Sequence, residues 1–311
     1  FIARHLADDE LITYTVIRQA QLDYDSGEGL AGAEKLKHAL ATAIKRNDIP
    51  HQVEALRLLA YIAVREGALT GAMDCADRAC AIVNDPKTAS PYDRGRALNA
   101  KGMVLMRMGF LFEAAIPLAE ALFLFRNLGK RRNESQITKL LARLACHRGE
   151  LSDSMNFVQT SIRIDETLRD VSAKGEMLSA LGNCRLYIGD FVGAEAFLRQ
   201  GVEISQDDCE RIGEAEGTLG LAELALFRED PTLASTILQE AISKDIVTRN
   251  EHLYIKHLMI GAAIKLVTRN ASDAIALASE ALDAATQASI YGEMVRAGAL
   301  LGRALSISGE H

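Results

Sequence analysis

Tryptophan is absent from the 311-residue chain, and proline occurs only five times. Aromatic residues make up 5% of the sequence, although 49% of all residues are hydrophobic. Sandwiches and barrels need many aromatic and β-branched residues, so this scarcity argues against them. Few prolines and many alanines favour helices instead, because proline breaks a helix and alanine loses no side-chain entropy in one.

Further absences narrow the class of protein. No apolar run reaches the roughly 18 residues that predict a membrane span, and the net charge of −7 argues against a general nucleic-acid surface. The five cysteines lack paired spacing, which is typical of reduced thiols and indicates a cytoplasmic protein. Because no phosphate-binding glycine loop, zinc-protease motif or serine-nucleophile motif occurs, we predict a non-enzyme without catalytic residues, metal site or cofactor.

The chain begins at Phe1 without a signal-peptide pattern and without an initiator methionine. We therefore expect a piece of a longer protein.

Glycines recur along the chain at intervals of 40, 42, 40 and 40 residues. The same step of 40 then reaches two positions that are not glycine before it returns to glycine. The eight marks of this series are Gly27, Gly67, Gly109, Gly149, Gly189, Glu229, Arg269 and Gly309.

Three columns of small residues share the register of the marks. Seven positions before each mark stand Ala20, Ala60, Gly102, Ala142, Gly182, Ala222, Ala262 and Gly302. Five positions after the marks stand Gly32, Ala72, Ala114, Ser154, Ala194, Ala234 and Ala274. Twelve positions after them stand Ala39, Ala79, Ala121, Ser161, Gly201, Ala241 and Ala281. Small side chains at fixed places let two helices approach closely, so the pattern predicts a repeated helical hairpin.

The residues around Gly189 resemble the tetratricopeptide repeat (TPR). The segment Tyr187–Ala194 is similar to the turn of that family, and Leu181-Gly182-Asn183 is similar to its first-helix signature. The usual TPR period is about 34 residues. A period near forty resembles the long-helix branch found in Pins-type adaptors, kinesin light chains, MalT-type activators and sensor regions of bacterial cyclases.

The resemblance implies an all-α fold, a right-handed superhelical solenoid of antiparallel helix hairpins. We expect a single array over residues 1–311, with seven hairpins and a terminal helix. The hairpins are predicted at about 11–46, 51–84, 91–128, 132–168, 172–207, 211–248 and 251–288, and the terminal helix at 291–308.

The resemblance also implies an inner groove, lined by the first helix of each hairpin, that binds a peptide. The groove-facing columns stand thirteen, ten and six positions before the marks. From these columns the candidate groove residues are Arg57, Tyr61, Arg96, Asn99, Lys139, Arg143 and Asn183. Basic residues gathered in an acidic protein indicate an anion-accepting surface for a carboxylate or acidic side chains, and the asparagines would bind the ligand backbone. The alternative interpretation is a solvated wall with internal ion pairs such as Glu54–Arg57.

The leading function is a non-enzymatic protein- or peptide-binding scaffold in bacterial regulation. One alternative is the sensor region of a larger enzyme such as a diguanylate or adenylate cyclase. Another is the signalling-peptide or small-molecule receptor region of a transcription regulator. We expect no nucleic acid and no membrane as partners of this region. Ile290, Met294 and Val295 predict a homodimer through the C-terminal helices.

Overall fold

The computed structural model describes residues 9–25, 29–85, 89–168, 174–207, 211–243, 245–288 and 290–309. The first mark, Gly27, lies outside them, as does Cys209. The described residues form sixteen helices and contain no strand. The prediction of an all-α fold is therefore confirmed. None of the described helices is long and apolar enough to cross a membrane.

The chain divides into two compact units, Phe1–Ile137 and Thr138–His311. The helices that lie wholly in unit 1 are α1 (Asp9–Asp25), α2 (Gly29–Lys45), α3 (Ile49–Arg65), α4 (Leu69–Ile82), α5 (Pro91–Arg107) and α6 (Leu111–Asn127). Helix α7 (Arg131–His147) begins in unit 1 and continues into unit 2. Unit 2 also contains α8 (Leu151–Leu168), α9 (Lys174–Tyr187), α10 (Phe191–Asp207), α11 (Arg211–Phe227), α12 (Pro231–Ile242), α13 (Asp245–Arg249), α14 (Glu251–Val267), α15 (Ala271–Gln287) and α16 (Tyr291–Ser308).

The described repeat marks from Gly67 to Arg269 lie in short turns between the two helices of a hairpin. Gly67 and Gly189 adopt left-handed φ angles of +73° and +84°. Glu229 and Arg269 do the same, at +63° and +61°, although they carry side chains. A left-handed conformation costs a residue with a side chain roughly 1–2 kcal/mol. The hairpin therefore imposes this backbone at the marks even where glycine is missing, in agreement with the repeat register.

A polar cap followed by proline begins one helix in each unit, α5 in unit 1 and α12 in unit 2. The Ser90 hydroxyl accepts a hydrogen bond from the Asp93 amide at 3.2 Å, and Pro91 follows as the first helical residue. The Asp230 carboxylate accepts from the Leu233 amide at 2.9 Å, again with proline next in the chain. Both caps satisfy an amide that the helix leaves without a partner.

The small-residue columns lie where paired helices touch. Every member of the three columns is buried except Gly302 in the last helix. Gly182 shows the consequence: a Cβ atom there would lie 2.6 Å from Leu198 Cγ and 3.0 Å from the Leu198 amide nitrogen. Gly102 is similarly covered by Leu118, at 2.5 Å from Cγ. These hairpins therefore pack a leucine of the second helix directly onto the backbone of the first.

We predict that Gly182→Ala destabilises the protein, because the added methyl group overpacks the α9–α10 contact at a cost of about 1–3 kcal/mol. The expected result is a lower midpoint in urea unfolding followed by circular dichroism.

Gly298→Ala is the matched control, since nothing lies within 4 Å of a Cβ atom at that helical glycine. It should leave the free energy of unfolding unchanged or raise it by about 0.5–1 kcal/mol, so that the urea midpoint stays or increases. Equal effects of the two substitutions would contradict the packing account.

Candidate functional site

Four of the predicted groove residues lie in unit 1 on α3 and α5. The Arg57 guanidinium binds the Glu54 carboxylate through two contacts of 2.7 and 3.0 Å. Arg96 binds the same carboxylate and also lies 3.5 Å from Asp93. The chain itself therefore supplies anions to both arginines, as the interpretation with internal ion pairs expects.

Tyrosine rings hold these guanidinium groups in place. Arg57 Cζ lies 4.9 Å from the centre of the Tyr61 ring, and Arg96 Cζ lies 5.5 Å from that of Tyr92. Burial and then the positive charge of Arg18 lower the pKa of Arg96 to about 10. Arg96 therefore remains a cation at neutral pH, fixed between a carboxylate and a ring.

Asn99 has one hydrogen bond and one unused acceptor. Its Nδ2 donates to the Tyr61 hydroxyl at 3.3 Å. Its Oδ1 is buried and has no hydrogen-bond partner in the described part of the chain. Buried acceptors without a donor are uncommon, so the described chain satisfies only part of the Asn99 amide.

The other three predicted residues lie in unit 2, where Lys139 and Arg143 of α7 differ in environment. Lys139 Nζ lies 2.9 Å from Asp165 Oδ2, on the second helix of the same hairpin. Arg143 is exposed and forms no hydrogen bond or ion pair with any described residue. Among the four predicted basic residues, Arg143 is therefore the one whose charge the described chain leaves unpaired.

Arg143 belongs to a group of charged and polar side chains, which we name the Arg143 cluster. Its members are Arg143, Glu176, Asn183, Glu216 and Lys256, from α7, α9, α11 and α14. Glu216 is its centre: Lys256 Nζ lies 3.9 Å from Glu216 Oε1, and Asn183 Nδ2 donates to the same oxygen at 3.5 Å.

Electrostatics separate the two carboxylates of the cluster. Burial alone would raise the pKa of Glu216, but the charges of Lys256 and Arg143, with that of His252 where it is protonated, outweigh it and hold that pKa below its usual value. The pKa of Glu176 is raised, by burial and then by the negative charge of Glu216. Glu216 is therefore a compensated anion, whereas Glu176 has no hydrogen bond or ion pair to any described residue.

Asn183 presents only part of its amide to the cluster. A Cβ atom at Gly220 would lie 2.6 Å from Asn183 Oδ1, so this oxygen lies against the backbone of α11. It is buried without a hydrogen-bond partner among the described residues. Asn183 thus supports Glu216 through its NH₂ group, while glycine at position 220 makes room for its oxygen.

The first two turns of α16 contact helices far earlier in unit 2. The Tyr187 hydroxyl donates to Glu223, with both carboxylate oxygens at 3.3 Å, and Arg296 Nη2 donates to the Tyr187 oxygen at 3.3 Å. Arg296 also lies 3.7 Å from Glu223 and 3.4 Å from Glu293. We name Tyr187, Glu223, Glu293 and Arg296 the α16 network. Burial and then the charge of Glu223 raise the pKa of Tyr187, so its hydroxyl stays protonated.

Two histidines border the same turn of α16. His252 Nδ1 lies 4.0 Å from Glu293 Oε1, and a Cβ atom at Gly292 would lie 3.7 Å from His147 Nδ1. Burial is the main cause that lowers the pKa of both histidines. Both therefore carry little charge at neutral pH, and Arg296 is the cation that pairs with Glu293.

The residues that predicted a dimer through the C-terminal helices have different roles. Ile290 belongs to a hydrophobic core cluster of unit 2, and Met294 packs against this cluster. Val295 is 74% exposed. The dimer stays a prediction, and Val295 is the member of the trio that a partner would reach.

The repeat columns anticipated part of this arrangement. Glu176, Glu216 and Lys256 share the column thirteen positions before the marks. Tyr187, Glu293 and His252 stand outside the three groove-facing columns. Their contacts could not be derived from the repeat pattern. In the described residues, no group of three His, Cys, Asp or Glu is placed to hold a metal ion.

No protein-family model matches the sequence, and no curated protein matches it. Solved structures do match. The structure of NprR in complex with its cognate peptide NprX has a TM-score of 0.64 and 14% identity, over 87% of this chain and 77% of that one. A Rap protein complexed with Competence and Sporulation Factor has a TM-score of 0.61 and 10% identity, over 99% of this chain and 100% of that one.

A tetratricopeptide repeat protein from Parabacteroides merdae also matches, with a TM-score of 0.60 and 15% identity over 94% of this chain and 98% of that one. At these identities the comparisons show a shared fold. The predicted likeness to TPR-type helical arrays is therefore confirmed.

We predict that Arg296→Met lowers the stability of unit 2, because Glu293 and Glu223 lose their cation while their carboxylates stay largely buried. The expected loss is about 1–3 kcal/mol, since Arg296 itself is partly exposed. Thermal unfolding by calorimetry measures it.

Arg303→Met on the same helix is the control, because Arg303 is exposed and has no polar partner among the described residues. Its effect should stay within about 0.5 kcal/mol. Unfolding of Arg296→Met at the wild-type temperature would show that the α16 network contributes nothing.

Proposed function

We propose that this chain is a non-enzymatic regulatory scaffold of the bacterial cytoplasm that binds a short peptide through the Arg143 cluster of unit 2. An acidic side chain or a terminal carboxylate of the peptide pairs with Arg143. The proposed function is binding alone, because the side chains of the cluster can form ion pairs and hydrogen bonds with a ligand.

The observation that carries the proposal is the unpaired guanidinium of Arg143. Arg57, Arg96 and Lys139 each lie within ion-pair distance of a carboxylate of the chain. Arg143 has no such partner among the described residues. A guanidinium binds carboxylates with two parallel hydrogen bonds, so Arg143 is a ready site for one.

The comparisons support a peptide as the ligand. One protein of the same fold, NprR, has been solved with its cognate peptide, and this chain covers 77% of that chain. This likeness favours the receptor region for a signalling peptide, one of the alternatives that the sequence leaves open. A transcription regulator that carries such a region is the second candidate for the whole protein.

Selection from a library of random hexapeptides tests the proposal. The best acidic hexapeptide is labelled with fluorescein and titrated with protein, and binding is followed by fluorescence polarisation. We predict that Arg143→Glu weakens binding at least about tenfold, since a charge-assisted hydrogen bond contributes about 1.5–3 kcal/mol.

Arg163→Glu on α8 is the matched control, because among the described residues that guanidinium donates only to Gln159 and Thr160 of its own helix. It should bind like the wild type. Circular dichroism must show that Arg143→Glu is folded. Wild-type affinity in folded Arg143→Glu, or a library that yields no binding peptide, would contradict the proposed function.

A further inference from the structure

We propose that Glu176 is a cation subsite of the Arg143 cluster, so that the ligand carries an ammonium or guanidinium group in addition to the anionic group bound by Arg143. This inference rests on the proposed function and names the chemistry of its ligand. It changes the expectation of an acidic peptide into that of a peptide with charges of both signs.

Glu176 is the exception among the carboxylates of this surface. Glu216 has Lys256 and the Asn183 amide as partners. Glu223 and Glu293 are bound by Arg296, and Glu223 also accepts from a tyrosine. The side chain of Glu176 is partly buried and has neither a hydrogen bond nor an ion pair with the described chain.

A carboxylate withdrawn from water without a partner costs free energy, and such groups are normally paired. The chain meets this requirement at the neighbouring carboxylates but leaves it unmet at Glu176. A cation from outside the chain would supply the missing partner.

Arg143 is near enough to Glu176 to act on its charge, but the two side chains form no ion pair. The charge of Arg143 acts on the carboxyl group of Glu176, yet no nitrogen of one lies within ion-pair distance of an oxygen of the other. A ligand with one anionic and one cationic group can satisfy both side chains, whereas a ligand with a single charge satisfies one and leaves the other unpaired.

The site also predicts how binding depends on pH. The charged groups that face Glu176 are Lys139 and Arg143 of α7 and Glu216 of α11. Burial and Glu216 raise the pKa of Glu176, so the free protein holds a proton there to a higher pH than an ordinary glutamate does. A cationic group binds the ionised form, and its affinity therefore rises as pH increases through this pKa and then levels off.

Four pools of capped hexapeptides test the subsite in competition with the labelled hexapeptide. Acetylated N-termini and amidated C-termini remove the terminal charges. The pools contain one Arg and one Asp, Arg alone, Asp alone, or no charged residue, with uncharged residues elsewhere. Each pool is measured against the wild type, Glu176→Gln and Arg143→Gln.

We expect the wild type to bind the pool with both charges about tenfold more tightly than the pool with Asp alone. Glu176→Gln should bind those two pools equally and lose the rise of affinity with pH, while its affinity for Asp alone stays unchanged. Arg143→Gln should bind the Arg–Asp pool and the Arg pool equally. Gln keeps the shape of Glu and removes a buried charge, so the variant should fold.

Equal binding of the Arg–Asp and Asp pools by the wild type would overturn the cation subsite and leave the proposed function standing. A preference for the Arg–Asp pool that persists in Glu176→Gln would overturn it as well. Absence of competition by all four pools would overturn the subsite, whereas failure of the labelled hexapeptide itself to bind would overturn the proposed function as well.

Discussion

The close approach of paired helices at small residues is the constraint on which this structure depends. Where Gly182 meets Leu198, the second helix lies directly on the backbone of the first, and not even a methyl group fits between them. The same columns hold alanine, glycine or serine in the other hairpins, and they are buried throughout except in the last helix. Each hairpin whose turn the structure describes is thereby held at one geometry, with the repeat mark in the left-handed conformation.

This geometry determines which long side chains meet. First helices of neighbouring hairpins bring their polar columns together, as Glu54 of α3 and Arg96 of α5 show. Most of the resulting charges are matched within the chain. The Arg143 cluster differs because it combines a compensated pair, Glu216 and Lys256, with two charged side chains that have no partner among the described residues. Because charges withdrawn from water are normally paired, this unmatched charge of both signs supports the proposed binding site.

Much of the fold can be predicted from the sequence because the repeat is strict. The step of 40 residues locates left-handed turns even at Glu229 and Arg269, where no glycine indicates them. Pairs within one helix, such as Glu54 and Arg57, can also be recognised from their spacing.

The candidate site is less predictable because its pairing depends on contacts between hairpins. The columns identify Arg57, Arg96 and Lys139 as basic, but they do not reveal that Asp165 neutralises Lys139 from the other helix of its hairpin. The contact between Tyr187 and Arg296 joins residues 109 positions apart, and no local pattern encodes it. The charge of a column thus indicates where a surface lies, whereas the pairing of its members decides what that surface can bind.

The most direct test of whether the Arg143 cluster of unit 2 binds the ligand is hydrogen–deuterium exchange. Exchange is measured with and without a saturating amount of the selected hexapeptide. The account predicts slower exchange in α7 and α9, around Arg143 and Glu176, and unchanged exchange in α8 and α10. Protection confined to α8 and α10, or to helices α1 to α6, would contradict it.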